Sequence, residues 1–124
     1  MTIELLQQVR LIDPVSNTDR VADVLLEAGV IRAIAATIES YPEAAIVYPC
    51  HNLILGPGLV DLYSHSGEPG FEERETLASF LAAAAAGGFT RLAILPNTIP
   101  AIDNPASVAW LREKVVAGTG AQDS

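Results

Sequence analysis

Gly56-Pro57-Gly58 marks the point at which the hydrophobic spacing of this chain changes. Proline fixes φ and has no N–H, glycine accepts backbone that other residues avoid, and the three together stop a regular element. Ahead of them, apolar residues come in short runs separated by turn residues, the pattern of several small strands. Behind them, a short apolar run gives way to helical spacing, then to a second apolar run and a second helical stretch. The expected division is therefore a small β-sandwich segment over 1–56, β/α units over 57–117 and a flexible tail over 118–124.

Within the first part, Ile3 to Ile12 carries strand-forming residues and stops at Asp13-Pro14, where Ser16-Asn17-Thr18-Asp19 completes a turn. Val21 to Leu26 and Val30 to Ile34 flank Gly29 and read as a hairpin. A helix over Val21–Ala28 is the alternative, because Val21, Val24, Leu25 and Ala28 would share a face. Strands are preferred, since valine and isoleucine dominate and Gly29 would break so short a helix. A polar connector from Ala35 to Glu43 leads to two more runs, Ala45 to Tyr48 and Leu53 to Leu55. The turn cluster Pro49-Cys50-His51-Asn52 separates them. Such short runs need a partner layer to cover their apolar faces.

In the second part, Leu59-Val60 reads as a buried strand that ends in Asp61, Tyr63, Ser64 and His65. Parallel α/β folds carry their chemistry at that carboxyl edge. Thr76 can cap a helix with Leu77, Phe80, Leu81 and Ala84 on one face, and Gly87-Gly88 ends it. Phe89 to Leu95 reads as another buried strand, stopped by Pro96-Asn97-Thr98. Asn104-Pro105 then opens a helix whose buried face is Val108, Leu111 and Val115, as far as Gly118. A closed parallel barrel takes eight β/α units and roughly 250 residues. Two units cannot close one, so the residues themselves read as an α/β chain: small β structure, then β-α-β-α, and then nothing.

Charge and composition exclude several functions. The net charge is -8, and the seven basic residues are scattered, so no cluster tracks a phosphate backbone or an anionic membrane surface. Neither nucleic acid nor membrane is an expected partner. Met1-Thr2-Ile3-Glu4 lacks the basic start of a signal peptide, and no apolar run reaches the roughly 20 residues of a membrane span. Cys50 is the single cysteine, which precludes an internal disulfide and fits a cytoplasmic location.

Pro57-Gly58-Leu59-Val60-Asp61-Leu62, His65, Glu68-Pro69-Gly70, Glu75-Thr76, Ala83 to Thr90, Leu95-Pro96-Asn97-Thr98 and Asp103-Asn104-Pro105 resemble, in order, the dihydroorotases of the amidohydrolase superfamily. The resemblance implies a β-sandwich segment followed by the first two β/α units of a (β/α)8 TIM-type barrel, incomplete, with a metal site at the strand ends and zinc as cofactor. The implied chemistry is cyclic amide hydrolysis between dihydroorotate and carbamoyl aspartate in pyrimidine biosynthesis. In that family the first strand ends in Asp-X-His-X-His, with both histidines on the metal. Here the first of those positions is Tyr63 and only the second, His65, is histidine. The family continues Leu-Arg-Glu-Pro-Gly, with the arginine gripping the substrate carboxylate; the corresponding residue is Gly67. Asn97 falls on the family's other carboxylate-binding position, and Asp61 on that of a carboxylate orienting a metal ligand. The family's catalytic aspartate and other ligands belong to later strands, so no catalytic residue is expected within this chain.

A zinc hydrolase needs about three protein ligands and an open position for water. His65 alone is too few, and Tyr63 would have to bind as a phenolate. No zinc is therefore expected on this chain. Simpler roles stand beside each reading: His65 as an inherited structural histidine, Asp61 as a strand-end carboxylate satisfied by backbone donors, Asn97 as turn chemistry. Cys50-His51 reads as structural, Trp110 as packing, and Glu72, Glu73 and Glu75 as a solvated acidic loop. Three functions compete: an amino-terminal piece of a dihydroorotase or of a related hydantoinase or allantoinase, a non-catalytic assembly partner of aspartate transcarbamoylase, and a relic with no role. An uncovered half barrel predicts a homo-oligomer, a complex or an unstable chain. Restoring Tyr63→His with Gly67→Arg in a full-length version is expected to raise activity.

Overall fold

Strand β1 (Ile3–Asp13) organises the amino-terminal half, because both of its edges are used. On one edge it pairs antiparallel with β2 (Thr18–Glu27), which pairs in turn with β3 (Val30–Ala35). On the other it takes β4 (Ile46–Pro49) along Glu4–Gln7 and β5 (Ile54–Leu55) along Arg10–Leu11, both parallel. The result is one mixed five-stranded layer, in the order β3-β2-β1-β4 with β5 also on β1. The computed structural model from which this is taken describes residues 1–119; the rest of the expected tail, 120–124, lies outside them.

The turns follow from local chemistry. Asp13 accepts from Val15 N at 3.0 Å and from Ser16 Oγ at 2.6 Å, and Asn17 takes the left-handed backbone (φ 53°) that closes the hairpin. Ala28 and Gly29 both have positive φ between β2 and β3, which rules out the alternative helix. Leu53 N donates to Cys50 O at 3.0 Å across the Pro49–Asn52 cluster. Cys50 is buried with Val9 and Val24 and donates its thiol to Tyr48 O at 3.3 Å, while His51 is exposed.

One irregularity was not legible in the sequence. The β1–β2 register slips between Leu6 and Val9, so that Gln7 and Gln8 oppose Asp23. Gln8 has φ 56°, and the buried Asp23 carboxylate holds it there. Asp23 accepts from Gln8 N at 2.8 Å, from Gln8 Nε2 at 2.9 Å and from Ile38 N at 2.9 Å. Burial alone would raise its pKa, but the Ile38 and Gln8 donors outweigh that and hold the carboxyl below its ordinary value.

The chain divides into two compact units, Met1–Pro57 and Gly58–Ser124. In the second, β6 (Leu59–Ser64) pairs parallel with β7 (Phe89–Ile94), and α1 (Leu77–Ala86) connects them. Helix α2 (Pro105–Thr119) packs against α1. Thr76 caps α1 in a reciprocal box with Ser79, and Leu77, Phe80, Leu81 and Ala84 form its covered face. Asn104 caps α2 through Ser107 N at 3.0 Å.

Two burial expectations fail here. The strands of this unit are not buried: Leu59 and Val60 are each 53% exposed and Leu62 is 77% exposed. A parallel strand is buried only when layers cover both faces, and this sheet has two strands among the described residues. Val108 is likewise exposed, whereas Leu111, Val115 and Val116 carry the covered side of α2, which runs to Thr119. No helix among the described residues is long and apolar enough to cross a membrane.

Candidate functional site

The carboxyl ends of β6 and β7 bring together two residues that lie 32 positions apart. Asn97 Nδ2 is 3.0 Å from His65 Nδ1. Parallel pairing makes this possible: Ser64 is level with Ile94, and Leu95 N donates to Ser64 O at 2.9 Å, so the two following segments leave the sheet side by side. With the amide in this orientation Nδ1 is the acceptor and Nε2 carries the proton. Turning the amide half a turn exchanges the roles and frees Nε2 as a ligand atom.

Tyr63 stands two residues before His65 and meets it edge to face, with ring centroids 5.5 Å apart. Asp61 accepts from Tyr63 N at 2.9 Å. That backbone donor, helped by the Ser64 hydroxyl and opposed by desolvation, lowers the Asp61 pKa. Ser64 Oγ itself is buried and makes no hydrogen bond of good distance and angle. Its hydroxyl is thus a weaker influence on Asp61 than the Tyr63 N–H. Asp61 thus sits at the strand end with a backbone partner and is not joined to His65.

Glu68, Pro69 and Gly70 shape the loop that follows. Glu68 Oε2 accepts from Leu77 N, the first residue of α1, at 2.9 Å, and Oε1 lies 3.5 Å from Lys114 Nζ on α2. Ser66 Oγ donates to Glu68 O at 2.8 Å, and Ile99 N donates to Pro69 O at 3.0 Å. Gly70 has φ 102°, and a Cβ there would overlap the Ile99 carbonyl oxygen. The conspicuous Glu-Pro-Gly motif therefore ties two loops and a helix start together.

A cavity of about 310 Å³ opens beside the His65–Asn97 pair, and Gly67, Phe71, Arg74 and Glu75 also line it. Arg74 escaped the sequence reading, because it sits among acidic residues that look like a solvated loop. Its guanidinium lies 4.8 Å over the Phe71 ring. A larger cavity, about 720 Å³, is lined mainly by apolar residues such as Leu92, Ile94 and Leu111, with Arg112 and Glu113, and shares no lining residue with the first. Among the described residues no three His, Cys, Asp or Glu side chains gather as a metal site. A single imidazole with a carboxamide partner falls short of a zinc donor set.

Position 67 adds a correction. A Cβ on Gly67 would overlap the Glu75 carbonyl oxygen and come within 3.0 Å of Phe71 O. Putting the family's arginine back by Gly67→Arg would thus require the loop backbone to move, contrary to the simple restoration expected.

Comparison with solved structures gives the fold. L-Hydantoinase (dihydropyrimidinase) from Arthrobacter aurescens matches 91% of this chain and 25% of its own, at TM-score 0.75 and 23% identity. Phenylurea hydrolase B matches 99% of this chain and 29% of its own, at TM-score 0.61 and 18% identity. The architecture is that of the amino-terminal part of such amidohydrolases, the start of the barrel included. The sequence pattern of the family described as Dihydro-orotase-like matches residues 52–121, more than half of the chain. The chain belongs to the dihydro-orotase-like family. Curated relatives agree. A dihydroorotase of Syntrophus aciditrophicus is 49% identical over 110 residues, 89% of this chain and 26% of that protein. A probable dihydroorotase-like protein of Synechocystis is 44% identical over 108 residues, 87% of this chain and 24% of that protein. This dihydro-orotase-like chain spans about a quarter of the length of the curated relatives it matches.

Proposed function

We propose that this chain recognises a carboxylate-bearing pyrimidine precursor of the dihydroorotate or carbamoyl aspartate type at the ends of β6 and β7, and does not hydrolyse it by itself. The observation behind this reading is the His65–Asn97 pair at 3.0 Å, with Tyr63 in place of the family's first imidazole. Asn97 offers an amide donor to a carboxylate oxygen. Ring opening of a cyclic amide needs, in addition, an activated water and a polarised carbonyl, which one imidazole and one carboxamide do not supply. Zinc, the cofactor implied by the family resemblance, would need donors beyond His65, so in this reading the chain alone holds no stoichiometric zinc. Its setting is the cytoplasm and pyrimidine biosynthesis, without nucleic acid or membrane partners.

A second reading draws on the two uncovered faces of β6. Leu59, Val60, Leu62 and Tyr63 are between 53% and 77% exposed, a run of apolar surface that favours association. That surface supports association in general, and the reading takes its partner from the family resemblance: a non-catalytic assembly partner of aspartate transcarbamoylase, or else a homo-oligomer. The test of the first reading is metal analysis of the purified chain together with a dihydroorotate hydrolysis assay on wild type and His65→Ala. No stoichiometric zinc and no turnover are expected; about one zinc per chain, with turnover lost in His65→Ala, would overturn it. Light scattering and co-purification with aspartate transcarbamoylase test the second, and a stable monomer that ignores the transcarbamoylase would refute it.

A further inference from the structure

The loop after β6 is wound so that position 67 has no room for a side chain, and the same winding presents Arg74 at the cavity. Gly67 O accepts from Phe71 N at 2.7 Å, and Phe71 O accepts from Arg74 N at 2.9 Å and Glu75 N at 3.4 Å. These consecutive turns lay the Glu75 carbonyl against Gly67, where a Cβ would overlap its oxygen and lie 3.1 Å from its carbon. Arg74 is the cation among the lining residues of the 310 Å³ cavity that His65 and Asn97 share.

We propose that Arg74 is the anion-recognising residue of this cavity, taking a ligand carboxylate that Asn97 also meets, from a position in the chain seven residues beyond the closed Gly67. The inference deepens the carboxylate reading given above and rests on it. A guanidinium presents a planar fork of donors that matches a carboxylate in two parallel bonds. The Phe71 ring, 4.8 Å beneath, supports that plane and limits its rotation. Among the described residues the charge partner of Arg74 is Glu73, at a long 3.9 Å and with both side chains about three-quarters exposed, which leaves its N–H groups available to a ligand. Glu75 supplies the opposing charge in the lining. The ligand class is a small mono- or dicarboxylate, with or without a cyclic amide.

The experiment is an NMR titration of the full chain with three probes: succinate, dihydroorotate and the uncharged dihydrouracil. Both anions are expected to shift the Arg74 Nε–H and Asn97 side-chain amide signals, and dihydrouracil to leave Arg74 unmoved. Arg74→Ala should weaken both anions by about tenfold or more, the loss typical of a charge-assisted pair. Arg74→Lys should recover part of the affinity, Glu75→Gln should tighten binding, and Arg112→Ala on α2 should change nothing. Arg74 is exposed, so its variants are expected to keep the wild-type spectrum elsewhere. Unchanged affinity in Arg74→Ala overturns the inference while leaving a carboxylate site in place. Binding of succinate through Arg74 with no preference for dihydroorotate upholds the inference and sinks the pyrimidine reading. Failure of both anions to move Arg74 overturns the inference outright.

Discussion

Removing the Asp23 carboxylate should destabilise the amino-terminal sheet more than any surface substitution. Asp23 is 1% exposed and accepts three hydrogen bonds, two of them from the backbone N–H groups of Gln8 and Ile38. In Asp23→Ala those two half-buried donors, one at the β1 bulge and one beyond the end of β3, lose their acceptor, at about 1–3 kcal/mol each. Gln8 Nε2 keeps its other acceptor, Ala36 O at 3.1 Å, and adds little. Gln8 also loses the group that stabilises its positive φ, a conformation that costs about 1–2 kcal/mol for a non-glycine residue. Both donors are half-buried, so the loss falls in the lower part of that sum, about 3–5 kcal/mol, a large part of the stability of a small domain. Asp23→Asn keeps one acceptor oxygen and should lose about half as much. Urea unfolding followed by far-ultraviolet circular dichroism measures both, with amide exchange at Gln8 and Ile38 locating the effect. The pH dependence has a definite sign: because the folded pKa of Asp23 lies below its ordinary value of 3.8, its contribution is complete above about pH 5 and fades as pH falls through the folded pKa. Asp23→Asn should flatten the wild-type loss of stability in acid. An Asp23→Ala variant within about 0.5 kcal/mol of wild type would refute the reasoning, since that is the range of an uninvolved surface site.

Three further outcomes are expected. Glu68→Ala removes the acceptor of Leu77 N and the partner of Lys114 and should cost about 1–2 kcal/mol by Trp110-monitored thermal unfolding; Glu68→Gln should cost less than half of that, and equal costs would mean that the ion pair, not the cap, matters. Thr76→Ala breaks the box with Ser79 and should lower stability by about 1 kcal/mol, with increased exchange confined to the first turn of α1; protection unchanged in that turn would contradict it. The Asp61 carboxyl should titrate below its ordinary value of 3.8 by carbon-detected NMR, and Ser64→Ala should raise it part of the way back; a midpoint at or above 3.8 would refute the role given to Tyr63 N.

What the sequence reveals, and what it hides, follows from the range of the interactions involved. Strand and helix limits were legible because each has a local cause: Asp13 and Asn17 make their own turn, Thr76 and Asn104 cap from the adjacent position, and Gly87-Gly88 ends α1. The His65–Asn97 meeting was legible only through family resemblance, since parallel pairing joins residues that no local pattern links. Asp23 looked like any strand aspartate, because the bulge that buries it exists only once β1 and β2 pair. The exposure of Leu59, Val60 and Val108 is hidden for a different reason: an apolar run states that something covers it, not that the cover lies within the same stretch of chain. Position 67 shows the same limit in its sharpest form. Compared residue by residue, glycine there is a missing arginine and Gly67→Arg is the obvious repair. In three dimensions the Glu75 carbonyl occupies the space that any side chain would need, so glycine at 67 and the path of the 67–75 loop require one another. Glycine at 67 thus belongs with the present winding of the loop, and the guanidinium in the lining of the cavity is that of Arg74.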